Sequence, residues 1–330
     1  MAKTVNQAFS DFLADVVNLD NVKTKTARSS RNNLIDNIKS FSGNDDFFVV
    51  YNDKILNFGS FARRTKIRPL DDIDIMICFS GEGTRTYEMF GDEAVIYGSE
   101  SDKRNNLMDE GFKLNSTKVI NCLISKLSRL NDYKKAEMHK NMEAATLQLK
   151  SYEWNFDIVP CFYTVQDFYL IPNGKGKWKK TDPRIDRDRV TDLNQKFNGN
   201  LLNIIRLIKY WNKNNSAKTI GSYMLEAMIL DRYDKLSVSA SSCCIDWEFR
   251  DTIKKLSSSI LESVYDPKGI QGDINNLTYD ERKSVSSAMM TAYEKARVAT
   301  SLELSNSETS QRDAINKWRE VFGDKFPEYD

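Results

Sequence analysis

The sequence predicts an α+β fold, with a mixed-sheet lobe followed by a helical lobe. Two observations predict it. Between Phe47 and Tyr163 apolar residues alternate with polar ones or run continuously over short segments, as in strands. From Asn200 onward they recur at helical spacing instead. The length of 330 residues, with 40% hydrophobic and 29% charged residues, suits one large domain or two lobes and excludes collagen-like, low-complexity and wholly disordered chains.

Taken in order, Phe9, Phe12, Leu13, Val16 and Val17 fall at helical spacing, and a second helix is expected from Thr26 to Phe41, with Leu34, Ile35 and Ile38 on one face. The turn cluster SGNDD precedes a β-rich run, FFVVYNDKILNFGSF. In DDIDIMICF charged and apolar positions alternate and then give way to apolar residues alone, which describes a strand polar at one end and buried further along. A second strand is expected over Lys113 to Ile124, centred on KVINCLI, and a third over SYEWNFDIVPCFY, ended by Pro160. His139 falls in a charged stretch, Lys134 to Lys140, read as helical and surface-exposed. The Gly/Lys segment IPNGKGKWKKTDP is the candidate boundary. It gives a catalytic lobe with N-terminal helices over 1–180 and a helical C-terminal lobe over 181–330. In the second lobe NLLNIIRLIKYWNK, SYMLEAMILDRY, YDERKSVSSAMMTAYEKARVATSLEL and DAINKWREVFG read as helices.

Composition narrows the chemistry. Lys+Arg number 48 and Asp+Glu 47, so a nucleic-acid or nucleotide site must be local. With His139 the single histidine, metal sites needing two or more His are excluded. Cys78, Cys122, Cys161, Cys243 and Cys244 form no CxxC pair, and an odd, scattered set fits a reducing cytoplasm. The N-terminus carries acidic residues and no long apolar run, so it is not read as a signal peptide, and no stretch approaches a membrane span.

Three features stand in order: Gly59-Ser60 after a strand-like run, Asp72-Ile73-Asp74 about twelve residues on, and Asp157 in WNFDIV. Side chains alternate along a strand, so Asp72 and Asp74 point the same way. Adjacent carboxylates repel unless a cation lies between them, and as hard oxygen ligands they suit Mg²⁺. A third carboxylate from a neighbouring strand completes a set for two Mg²⁺ ions roughly 3.5–4 Å apart, which would stabilise the attacking and leaving oxygens of a displacement at phosphorus. The Gly-Ser turn allows close backbone approach and offers N–H donors to a triphosphate. Each feature alone has a plainer reading: an acidic edge strand, an ordinary turn, a surface aspartate. Their combination on apolar strands points to nucleotidyl transfer.

GSFARRTKIRPLDDIDIMICF followed by WNFDIVPCF resembles the polymerase-β-like nucleotidyltransferases, and within them the bacterial CD-NTases with a SMODS domain, relatives of cyclic GMP-AMP synthase and oligoadenylate synthetase. The segments TDPRIDRDRVTDLNQKFNGNLLNIIRLIKYWNK, TIGSYMLEAMIL, YDPKGIQGDI and AINKWREVFGDKFP extend the resemblance over nearly the whole chain. It implies an active site in the cleft between the lobes. Asp72, Asp74 and Asp157 would be catalytic and metal-binding, with two Mg²⁺ ions for which Mn²⁺ can substitute. Gly59 and Ser60 would meet the donor triphosphate, Lys209 and Ser222 would contact phosphates, and Tyr223 would stack on a base or pack in the core. Arg63, Arg64, Lys66 and Arg68 would face the acceptor or form a solvated loop, the latter for most of them; Lys175, Lys177, Lys179 and Lys180 could bind nucleic acid but read rather as a hairpin tip with exposed lysines.

The activity so implied is synthesis of a cyclic di- or trinucleotide second messenger from NTPs, ATP and GTP among them, in cytoplasmic antiphage (CBASS-type) signalling through a separate effector protein. The alternatives are a template-independent polymerase or transferase making linear products and an inactive nucleotide-binding scaffold. A zinc insertion that docks DNA could not be built with one histidine and no paired cysteines, so activation of that kind is not expected, nor is a membrane partner.

Overall fold

The computed structural model describes residues 2–43, 47–237 and 244–330. The chain divides into two compact units: Asn21–Arg63 with Leu70–Arg187, and Met1–Asp20 with Arg64–Pro69 and Asp188–Asp330. This differs from the expected lobes 1–180 and 181–330. The N-terminal segment belongs to the helical unit because α1 (Val5–Phe12) buries Val5, Ala8, Phe9 and Phe12 there. Phe9 meets Trp318 edge-on at 4.9 Å between ring centroids and Phe326 at 5.1 Å.

The sheet unit opens with α2 (Asn21–Ser40), whose buried face is Ala27, Leu34, Ile35 and Ile38. Of the β-rich run only β1 (Leu56–Phe58) is strand; the one-turn helix α3 (Gly59–Ala62) follows it. Phe47 and Phe48 instead pack their rings on Phe79, at 5.1 and 5.2 Å. The strand β2 (Asp72–Phe79) has the expected character: Asp72 and Asp74 are half-buried, and every residue from Ile75 on is buried. Next come β3 (Thr86–Phe90), β4 (Glu93–Tyr97), β5 (Met108–Asp109) and β6 (Lys113–Leu114). The strand expected over Lys113 to Ile124 is mostly the helix α4 (Ser116–Leu127). Its apolar residues Val119, Ile120, Leu123 and Leu127 share one helical face, and the Asn115 side chain caps it by accepting from the N–H groups of Thr117 and Lys118.

The hairpin β7 (Glu137–Asn141) and β8 (Ala144–Gln148) takes the place of the helix expected around His139, which is exposed on β7. The next strand, β9 (Asn155–Tyr163), runs through Pro160 rather than ending there. On that edge β8 pairs only as far as Ile158, while β10 (Tyr169–Pro172) begins pairing at Phe162. Proline's missing donor falls in the gap. The Gly/Lys segment is no boundary: it is the turn joining β10 to β11 (Trp178–Thr181) within the sheet, where Lys177 pairs with Glu93 and Lys179 with Glu143. The strand order is β1-β2-β9-β10-β11-β4-β6-β5, with β3 on β4, β8 on β9 and β7 on β8. The central pair β2 and β9 is parallel and in register from Asp72 beside Asn155 to Phe79 beside Phe162.

α5 (Pro183–Lys196) carries the chain across the boundary. The helical unit continues with α6 (Leu201–Asn214), α7 (Ser222–Lys235), α8 (Ile245–Ser259), α9 (Tyr279–Glu303) and α10 (Glu308–Phe322). Arg68 is no solvated residue: its guanidinium donates to the carbonyls of Ala14, at 2.9 Å, Asp15 and Asn18. Ala14 and Asp15 lie in the π-helical turn Leu13–Val17 that continues α1, and Asn18 follows it in extended conformation; carbonyls at a helix end lack intrahelical donors. Of the adjacent cysteines, Cys243 lies outside the described residues and Cys244 is half-buried. Among the described residues no helix is long and apolar enough to cross a membrane.

Candidate active site

The parallel pairing of β2 and β9 brings the predicted aspartates together. Asp74 and Asp157 are register partners, and Asp72 stands two residues before Asp74 on the same face. Their neighbours Ile73, Ile75, Phe156 and Ile158 point to the other face and are buried. The polar ends of two apolar strands thus hold three carboxylates in a row, anchored by the apolar side chains between them.

Gly59 closes one side of this row. It starts α3 at φ +70°, and a Cβ built on it would lie 1.7 Å from Oδ2 of Asp74. Only glycine allows both the backbone conformation and the carboxylate's approach. Ser60, next in α3, is half-buried. On the other side of the row the Thr146 hydroxyl donates to Oδ1 of Asp157 at 2.6 Å, from the register position opposite it on β8. Thr146 was not foreseen; a threonine in AATLQ gives no signal until β8 is known to lie against β9.

Could the row hold a divalent cation? The donors are hard carboxylate oxygens, as Mg²⁺ requires. Among the described residues, however, no three His, Cys, Asp or Glu side chains converge closely enough to hold a metal by themselves. Mg²⁺ keeps several waters and is commonly bound by one or two carboxylates together with substrate phosphates rather than by an all-protein cage.

Lys209, Ser222 and Tyr223 belong to the helical unit. Ser222, the first residue of α7, is exposed and Tyr223 is half-buried. Lys209 on α6 is 6% exposed, and its ammonium donates to Oε1 of Glu226 on α7 at 2.8 Å. The same oxygen accepts from the hydroxyl of Thr65 at 2.9 Å. The Lys209 charge is therefore held by a buried carboxylate, as burial of an ammonium demands. Glu226 was missed in the sequence, although a lone carboxylate within the apolar run SYMLEAMIL is a signal for a buried ion pair. Tyr223 is tied through its hydroxyl to Asp266, at 2.5 Å.

The chain is 45% identical, over the full length of both chains, to a probable cyclic nucleotide synthase of Bacillus cereus (strain VD146). It is 21% identical to the cyclic AMP-AMP-AMP synthase of an Acinetobacter species, covering 98% of this chain and 86% of that one. Among solved structures, E. coli MS115-1 CdnC with ATP superimposes with a TM-score of 0.71 at 16% identity, covering 98% of each chain. Vibrio cholerae DncV cyclic AMP-GMP synthase, in complex with the linear intermediate 5′ pppA(3′,5′)pG, gives 0.68 at 12% identity, covering 98% of this chain and 97% of that one. No protein-family model matches. The first likeness is close and complete enough to decide kinship, the two structures share the α+β nucleotidyltransferase fold, and this chain belongs to the bacterial CD-NTases, the nucleotidyltransferases that synthesise cyclic nucleotides.

Proposed function

We propose that this chain is a Mg²⁺-dependent, cytoplasmic synthase that joins NTPs, ATP and GTP among them, into a cyclic di- or trinucleotide with release of pyrophosphate. The product would activate a separate effector protein in antiphage defence of the CBASS type. The observation that carries the chemistry is the in-register placement of Asp74 beside Asp157, with Asp72 on the same face and the backbone of Gly59 against the Asp74 carboxylate.

In each round a ribose hydroxyl of one nucleotide attacks the α-phosphorus of another. The new P–O bond forms as the bond to pyrophosphate breaks. Bound Mg²⁺ would offset the charge that develops on the attacking and leaving oxygens. Asp72 and Asp74 would hold it; Asp157, kept in orientation by Thr146, would complete the set and help to take the hydroxyl proton. Ser60, Ser222 and Lys209 would contact the triphosphate, with Glu226 holding Lys209 in place. Tyr223 would stack on a base.

The test is incubation with four radiolabelled NTPs and Mg²⁺, followed by phosphatase treatment and mass spectrometry. A phosphatase-resistant product with the mass of a cyclic oligonucleotide supports the proposal and names its bases. Products that are all linear and phosphatase-sensitive replace it with a polymerase. Release of no pyrophosphate from any NTP mixture, with the protein folded, overturns it.

A further inference from the structure

The loop Tyr265–Asp273, between α8 and α9, folds around one carboxylate. Asp266 is 5% exposed. Its Oδ2 accepts from the backbone N–H groups of Ile270 at 3.1 Å and Gln271 at 3.0 Å. Its Oδ1 accepts from the N–H of Lys268 at 3.2 Å and from the hydroxyl of Tyr223 at 2.5 Å. The Lys268 ammonium stands 3.2 Å from the same Oδ1. The loop is closed behind it by paired backbone, Asp266 N–H to Gly272 O at 2.8 Å and Gly269 N–H to Asp266 O at 2.8 Å. Burial alone would raise the carboxyl's pKa, but the tyrosine hydroxyl, Lys268 and the loop N–H groups hold it below the ordinary aspartate range. It is therefore an anion at neutral pH and a strong acceptor.

The loop also reaches the ring itself. The Lys268 ammonium lies 4.1 Å above the centroid of Tyr223 and touches its hydroxyl. A cation there takes one face of the ring, so a base can take at most the other. Two anchors, one at the hydroxyl and one over the face, remove the ring's freedom about both side-chain torsions.

We propose that Asp266 is a positioning residue that fixes the Tyr223 ring as a base-stacking platform, with Lys268 closing one of its faces. This rests on the synthase reading above. It adds that base binding depends on a carboxylate in the loop after α8, separately from the groups that meet the phosphates.

The test uses the full-length enzyme and follows pyrophosphate release. KM and kcat are measured for the NTP that the wild type uses best, together with the inhibition constant of inorganic tripolyphosphate, which has phosphates but no base. Tyr223→Phe and Asp266→Asn are each expected to raise KM roughly three- to tenfold, with kcat and the tripolyphosphate constant within about twofold of wild type. The double variant should be no worse than the poorer single, because both act through the one contact between the Tyr223 hydroxyl and the Asp266 side chain. Tyr223→Ala should raise KM by roughly 5- to 100-fold. If the tripolyphosphate constant rises in parallel with KM, the loop is a general scaffold and the assignment falls. It falls equally if KM is unmoved or if the two single effects add. Tyr223→Phe keeps the ring and its packing, so the test survives even if Asp266→Asn does not fold. A wild type that releases no pyrophosphate removes the synthase reading before any variant is made, and this assignment with it.

Discussion

The Asp74 carboxylate lies directly against the backbone of Gly59, so close that a Cβ on Gly59 would stand 1.7 Å from its Oδ2. One residue's lack of a side chain thus sets the position of another's. Gly59→Ala adds a clash with the carboxylate to an unfavourable φ of +70°. The strain alone costs about 1–3 kcal/mol. With Asp74 in the metal-holding role proposed for it, displacing its carboxylate should lower kcat by roughly 10²-fold or more. Pyrophosphate release beside a thermal melt checks this, the expected result being a large loss of rate in a protein that still folds.

Thr146 donates to Asp157 from the neighbouring strand. Thr146→Val keeps the shape and removes the donor. The expected result is a fall in kcat of roughly three- to tenfold, KM little changed, and a stability loss of about 1 kcal/mol. Thr146→Ser, which restores a hydroxyl, should recover most of the rate. Steady-state kinetics on the two variants decide it.

Lys209, Glu226 and Thr65 form a buried polar trio, and breaking it from one side should be worse than removing the ion pair whole. Glu226→Ala leaves the Lys209 ammonium buried without its carboxylate, at a cost of about 3–5 kcal/mol. The double variant Glu226→Leu with Lys209→Met should be markedly more stable than Glu226→Ala in urea unfolding, and catalytically impaired. Equal stability of the two would show that the pair is not held as described.

Glu303, at the end of α9, faces Asp246 in the first turn of α8. Burial and the Asp246 charge push its carboxyl up from 4.5 to about 7. Burial raises Asp246 as well, opposed by its hydrogen bond with Glu303, by backbone N–H groups and, least, by Arg250. Because the folded pKa of Glu303 exceeds the unfolded one, the native state binds this proton more tightly. Stability is therefore full below about pH 4.5 and lost as the pH rises toward 7. Glu303→Gln should remove that loss. At pH 7.5 it should gain about 1 kcal/mol after solvent screening at this half-buried site, or about 2–4 °C in Tm, and flatten the dependence of Tm on pH. A melt series from pH 5 to 8 reads it directly.

Strand β2 was legible because DDIDIMICF states its own environment: alternation where one face is polar, continuous apolar residues where both are covered. The long helices α6, α7, α9 and α10 were legible for the same reason, each bearing a periodic apolar face. KVINCLI was not, since a short apolar run fits a strand or a helix equally. The cap at Asn115 and the burial of Val119, Ile120, Leu123 and Leu127 on one face decided for helix. The unit boundary was misplaced because a Gly/Lys turn looks alike in a linker and in a hairpin. Only pairing of Trp178 with Ala94 shows that β11 belongs inside the sheet.

By itself the sequence determined the α+β class, the placing of Asp72, Asp74 and Asp157 on two apolar strands with Gly59-Ser60 ahead of them, and the kinship, because strand alternation and glycine's freedom are local properties. Tertiary structure alone decided what holds those groups. That Thr146 orients Asp157, that Glu226 holds Lys209, that Asp266 holds Tyr223 and that residues 2–20 pack with the C-terminal helices all depend on contacts between distant parts of the chain. In the sequence a buried polar residue looks like any other. Its partner is chosen by burial, which makes an unpaired donor or charge too costly to keep.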